Sequence, residues 1–157
     1  MTTMLRGLEM TTIAYKDGII AYDSLCVASD IVVDSDFDKK IIVNDLVFFL
    51  CGRPCDFDHF IKVYVDWNRE EKHENIDVEG LVIDNNTLYR SSIDDIDNII
   101  WKGHLRLNNH YAIGSGRRFA LAFMDAGMSA KEAIEMTAKR DIYTGGTIRT
   151  FDFDYDR

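Results

Sequence analysis

Six consecutive apolar residues, Leu46-Val47-Phe48-Phe49-Leu50-Cys51, follow a turn at Asn44-Asp45 and constrain the fold more than any other stretch. A strand with one wet face alternates apolar with polar residues. An unbroken apolar run is expected where both faces of a sheet are covered.

The surrounding pattern supplies the layers. Thr11 to Lys16 is strand-like and leads into Asp17-Gly18, a dipeptide suited to a tight type I′ turn because both central positions need positive φ. Ile19 to Asp23 returns as a second strand, and Lys39 to Val43 precedes the apolar run as a third. Ser29 to Asp38, rich in aspartate, reads as a loop or short ribbon. After Pro54 the period changes: Phe57, Phe60, Ile61, Tyr64 and Trp67 share one helical face. Asn68 to Asn75 is a charged loop. Glu79 to Asp84 and Leu88 to Ser92 form a hairpin around Asn85-Asn86, and Asp94 to Trp101 is ambiguous, with a helical turn as one reading. Tyr111 to Ile113 is a short strand ending in Gly114-Ser115-Gly116. A helix follows from about Arg117 to Ala126 and stops at Gly127. Ser129 with Glu132 makes a capping box for another helix that ends near Arg140, and Thr147 to Phe153 is the last strand. Strand runs followed by helix runs predict an α+β fold, with two sheets face to face and helices outside.

At 157 residues the chain suits one domain with a single core. A net charge of -9 argues against a nucleic-acid surface. No apolar run approaches the ~20 residues of a membrane span, and no secretory signal is visible. Three cysteines, Cys26, Cys51 and Cys55, fit a reduced, cytoplasmic protein.

The first hairpin has a defined register. Centred on Asp17-Gly18, it places Thr12 opposite Asp23 and Thr11 opposite Ser24, so the Asp23 carboxylate neighbours Thr11. Alone, this arrangement reads most simply as a capped strand end. The Lys39-Lys40 pair opens a strand, and Gly114-Ser115-Gly116 opens a helix whose free N–H groups favour polar partners. Each has a plainer reading too, as a solvated strand end or an ordinary turn with a cap.

Four stretches together resemble the proteasome β-subunits and the bacterial HslV peptidase, members of the N-terminal nucleophile hydrolases. They are TTIAYKDGIIAYDS at 11–24, KKIIVND at 39–45, YAIGSGRRFALAFMDAGMSAKEAIEMTAKRD at 111–141 and IYTGG at 142–146. The resemblance implies a four-layer α-β-β-α sandwich of two antiparallel sheets flanked by helices. It implies a threonine-type endopeptidase acting on unfolded polypeptide, with Thr11 as nucleophile and its own amine as base. Asp23 would orient the terminus and support a lysine, matched to Lys40. Ser115, Asp141 and Thr144 match further residues near the nucleophile, and Gly52 falls where a backbone N–H meets the oxyanion. Homo-oligomeric rings are implied by the family alone, which also admits an ATP-driven unfoldase as partner; no cofactor is implied.

The chemistry is coherent. A threonine hydroxyl needs a base, and a neutral α-amine with a reference pKa near ~8 can serve. A nearby Lys⁺ would depress that amine's pKa and stabilise the alkoxide. Because the nucleophile must be terminal, Thr11 requires loss of residues 1–10, read here as a leader or a mis-called start. The tripeptide Met-Thr-Thr occurs at both Met1 and Met10, and only the second heads the hairpin. An unprocessed relative with an assembly or regulatory role, and an amidase acting on small amides, are the alternatives. Cys51, Cys55 and His59 at intervals of four lack an evident fourth zinc ligand, and the two cysteines read better as buried free thiols. Asp34, Asp36 and Asp38 lack the glycine and glutamate of a calcium loop and read as a solvated acidic loop.

Overall fold

The computed structural model describes residues 11–154. The leader expected at 1–10 lies outside the described residues. Strands β1 (Thr12–Lys16) and β2 (Ile19–Tyr22) form the first hairpin. A ribbon of β3 (Cys26–Ala28) and β4 (Ile31–Asp34) follows, then β5 (Lys40–Val43) and β6 (Leu46–Gly52). A 3-10 turn at Pro54–Asp56 leads into helix α1 (Phe57–Asp66). Three strands come next: β7 (Val78–Asp84), β8 (Thr87–Ile93) and β9 (Ile100–Leu105). The chain continues through β10 (Tyr111–Gly114), α2 (Arg117–Asp125), α3 (Ala130–Thr137) and β11 (Arg149–Asp152).

The turns obey their local chemistry. Asp17 and Gly18 have φ of 50° and 81°, and Asn85 and Asn86 have 50° and 62°, as type I′ hairpins require. Ile13 pairs with Tyr22 and Ala14 with Ala21, the register expected from the turn. Helix α2 closes in a Schellman motif, with Met128 N–H donating to Phe123 O and Gly127 N–H to Met124 O at φ 102° for Gly127. The capping box of Ser129 and Glu132 is formed from both sides.

All strand pairs are antiparallel. One sheet runs β10-β1-β2-β11, a second β5-β6-β7-β8-β9, and β3-β4 stands apart as a third. The apolar run in β6 divides as its pleat requires. Val47, Phe49 and Cys51 enter the core between the two large sheets with Ile13, Tyr15, Ile20, Tyr22 and Ile113. Phe48 and Leu50 face the other way, into the cluster with Phe57, Phe60, Ile61 and Tyr64 of α1. On the far side, α2 and α3 cover Ala14 and Ala21 with Ala120, Met124, Ala133 and Ile134.

The expected four-layer α-β-β-α sandwich of two sheets is overturned. The described residues form eleven strands in three sheets, and the three helices hold only 10, 9 and 8 residues. The charged stretch 68–77 has no apolar periodicity and builds no second helix beside α1. One ten-residue helix, about 15 Å long, covers part of a five-stranded sheet without making a layer. The fold is mostly antiparallel sheet with short helices laid against it. The ambiguous stretch Asp94 to Trp101 divides into a turn and the start of a strand. Asn98 N–H closes a turn on Asp94 O, and the chain then enters β9, an edge strand paired with β8.

Candidate functional site

The site gathers at the head of β1, where four segments meet. Asp23, just past β2, is fully buried and accepts from three donors. Thr12 N–H donates to Oδ1 at 3.2 Å, Lys39 Nζ to the same oxygen at 2.8 Å, and Gly145 N–H to Oδ2 at 2.9 Å. Burial pushes the Asp23 carboxyl above its ordinary value, opposed chiefly by the Lys39 charge. The same burial pulls the Lys39 ammonium below its ordinary value, opposed by Asp23.

The lysine of the site is therefore Lys39, and the assignment to Lys40 is corrected. Lys40 begins the regular part of β5, pairs across to Phe49, and carries its Nζ over the Phe151 ring at 5.8 Å. Lys39 sits one residue earlier, before the regular strand, and turns toward Asp23. Neighbouring residues at a strand end point apart, so a one-residue difference decides which lysine enters the site.

A second group of side chains lies on the other side of Thr11. Ser115 N–H donates to Thr11 O at 2.8 Å, and Thr11 N–H to Ser115 Oγ at 3.4 Å. Ser115 Oγ and Thr144 Oγ1 both donate to Asp141 Oδ2 at 2.6 Å. Gly114, at φ 96°, lets the chain pass so close that a Cβ there would collide with the Thr11 carbonyl. Ser115, Asp141 and Thr144 are thus brought together around the backbone of Thr11.

Thr11, Lys39 and Gly52 line one small pocket, walled by Leu25, Cys26, Phe37 and Phe57. Gly52 also borders a larger cleft of about 700 Å³ that reaches Ser115, Asp141 and Tyr143. Gly52 has φ 113°, and a Cβ there would strike Asp77 O, so only glycine fits this strand end. Thr11 itself is 1% exposed and adopts φ 145°, an unfavourable torsion for a β-branched residue. Thr12 belongs to no site motif in the sequence, although its backbone and hydroxyl both enter this network. Its only signal was the register that puts it opposite Asp23.

Among the described residues no group of three His, Cys, Asp or Glu side chains is placed to hold a metal ion. Cys26, Cys51 and Cys55 are free thiols; Cys51 is buried in its strand as expected, whereas Cys55, in the 3-10 turn before α1, is exposed, which corrects its reading as a buried thiol. No helix among the described residues is long and apolar enough to cross a membrane.

No protein-family model and no curated protein matches the chain. The fold nevertheless has solved counterparts. One is the structure of Thiobacillus denitrificans BPH in complex with epoxomicin, which superposes with a TM-score of 0.65 at 18% identity. The match covers 90% of this chain and 96% of that one. At that identity the likeness is one of fold.

Proposed function

We propose that this chain is a threonine-type peptidase of the proteasome β-subunit and HslV kind, with Thr11 as nucleophile once residues 1–10 are removed. The observation that carries the reading is the buried Lys39–Asp23 pair beside Thr11, with Lys39, Thr11 and Gly52 in one pocket. A buried ion pair is a poor way to gain stability, and its placement next to a hydroxyl nucleophile suits chemistry better. The fold shared with a protein solved in complex with epoxomicin supports the same reading.

In the uncut chain Thr11 N is a peptide nitrogen and has no basicity to offer. Cutting the Met10–Thr11 bond makes it an amine and also abolishes the strained φ at Thr11. The neutral amine takes the Oγ1 proton as the oxygen attacks a peptide carbonyl. Lys39 stabilises the alkoxide, and a Gly52 N–H serves the tetrahedral oxyanion, an effect typically worth ~3 kcal/mol. Collapse releases the amine product with that proton and leaves an ester on Thr11. Water, deprotonated by the same amine, then frees the acid. Assembly of several copies is part of this proposal and is read by light scattering coupled to size exclusion.

A rival reading has its own observation. With the chain continuous, Thr11 is buried and its nitrogen is acylated, the state of an inert relative that assembles or regulates. Intact mass of protein from its native host, followed by incubation with epoxomicin, separates the two. A chain starting at Thr11 and an adduct of one compound mass on the Thr11 peptide support the peptidase. A chain starting at Met1 with no adduct sinks it.

A further inference from the structure

The direction of every proton around Asp141 can be read from the oxygen atoms. Asp141 Oδ2 only accepts, so the hydroxyls of Ser115 and Thr144, each at 2.6 Å, must both donate to it. Each hydroxyl has one hydrogen. Thr144 Oγ1 therefore has none left for its 2.7 Å contact with Thr12 Oγ1, and Thr12 is the donor there. Thr12 Oγ1 in turn accepts the Gly116 N–H at 3.0 Å. The chain of bonds runs one way, from Gly116 N–H through Thr12 and Thr144 to Asp141, and Ser115 joins Asp141 from the side of Thr11 N. Thr12 is also the link to the other half of the site, because its own N–H holds Asp23 Oδ1, the oxygen that binds Lys39.

We propose that Thr12 is the positioning residue of this centre: its amide fixes the lysine-bearing carboxylate, its hydroxyl fixes the serine-bearing carboxylate, and Thr11 is held between them. Thr12 is fully buried, so water cannot replace either bond. The helix entry is built around it. Gly116 has ordinary φ of -92°, yet a Cβ there would collide with Thr12 Oγ1 and the Thr137 methyl. Glycine is needed at Gly116 for approach to this hydroxyl, not for backbone freedom.

This inference rests on the peptidase reading for its catalytic consequence, but its geometry is testable alone. Thr12→Val keeps the volume and removes the hydroxyl; Thr12→Ser keeps the hydroxyl and removes a methyl. A packing role predicts that Val is tolerated and Ser harms. Positioning through the hydroxyl predicts the reverse. In full-length protein, amide hydrogen exchange at Gly116 should be about tenfold or more faster in Thr12→Val and near wild type in Thr12→Ser. In the form beginning at Thr11, the rate of epoxomicin labelling should fall about tenfold or more in Thr12→Val and stay within about threefold in Thr12→Ser. Unchanged Gly116 exchange in Thr12→Val overturns the proposal. So does full labelling by Thr12→Val when the wild type labels. A wild type that never labels removes the peptidase reading alone, and Gly116 exchange still decides the place of Thr12.

Discussion

Lys39 Nζ donates to Asp23 Oδ1 at 2.8 Å, and the two side chains are only 4% and 0% exposed. Such a pair is costly to bury and costlier to break. Removing one partner strands the other charge away from water. Lys39→Met or Asp23→Asn is expected to destabilise the fold by about 3–5 kcal/mol, while the double variant recovers much of the loss. Urea unfolding of the four proteins measures this coupling. Lys40→Ala should leave both stability and labelling near wild type, since Lys40 lies over Phe151 outside the site. A double variant no more stable than the worse single one would contradict the pairing.

The same pair shapes the dependence of stability on pH. Burial raises the folded pKa of Asp23 above its ordinary 3.8, so in that window the folded state holds more protons than the unfolded chain. The contribution of Asp23 is therefore fullest below 3.8 and falls as pH rises through the folded value. Burial lowers the folded pKa of Lys39 below its ordinary 10.5, so there the unfolded chain holds more protons. The contribution of Lys39 rises as pH climbs from its folded value toward 10.5. The melting-temperature difference between wild type and the Asp23→Asn/Lys39→Met variant should be least favourable to wild type between those windows. A difference that is flat with pH would refute the burial argument.

Gly114→Ala tests the close approach to Thr11. The added Cβ meets the Thr11 carbonyl and must also adopt φ near 96°. The torsion alone costs about 1–2 kcal/mol, and the collision adds to it. Thermal unfolding should show the loss. Any activity of the form beginning at Thr11 should fall further than stability does, because the Thr11 backbone is displaced.

Ser129→Ala serves as the contrasting substitution. It removes the hydroxyl that accepts from Glu132 N–H and leaves the Ser129 N–H bond to the Glu132 carboxylate, at a residue that lines no part of the Thr11 pocket. The expected cost is about 1 kcal/mol in chemical denaturation, with labelling by epoxomicin unaltered. A loss of labelling at temperatures where the variant is folded would show that α3 communicates with the site.

Much of the architecture was written locally. Asp17-Gly18 and Asn85-Asn86 chose their turns through positive φ, and those turns set the registers of both hairpins. Ser129, Glu132 and Gly127 marked helix ends through bonds to backbone only a few residues away. Strand β9 was not legible. Its side chains are mostly half-buried, and it is a strand because β8 offers an edge to pair with. The short coverage by helix was equally a matter of what residues 68–77 do not do in space.

The sequence by itself determined the hairpin that sets Thr12 opposite Asp23, the apolar strand with two covered faces, and the helix boundary marked by Gly127 and Ser129. Tertiary structure alone decided which lysine meets Asp23, and that Ser115, Asp141, Thr144 and Thr12 share one network. The physical reason is range. Turns and caps are settled by torsions and bonds within a few residues, whereas this site joins positions up to 132 residues apart. Lys39 and Lys40 are chemically alike, and only the packing of β5 against its neighbours gives one to Asp23 and the other to Phe151.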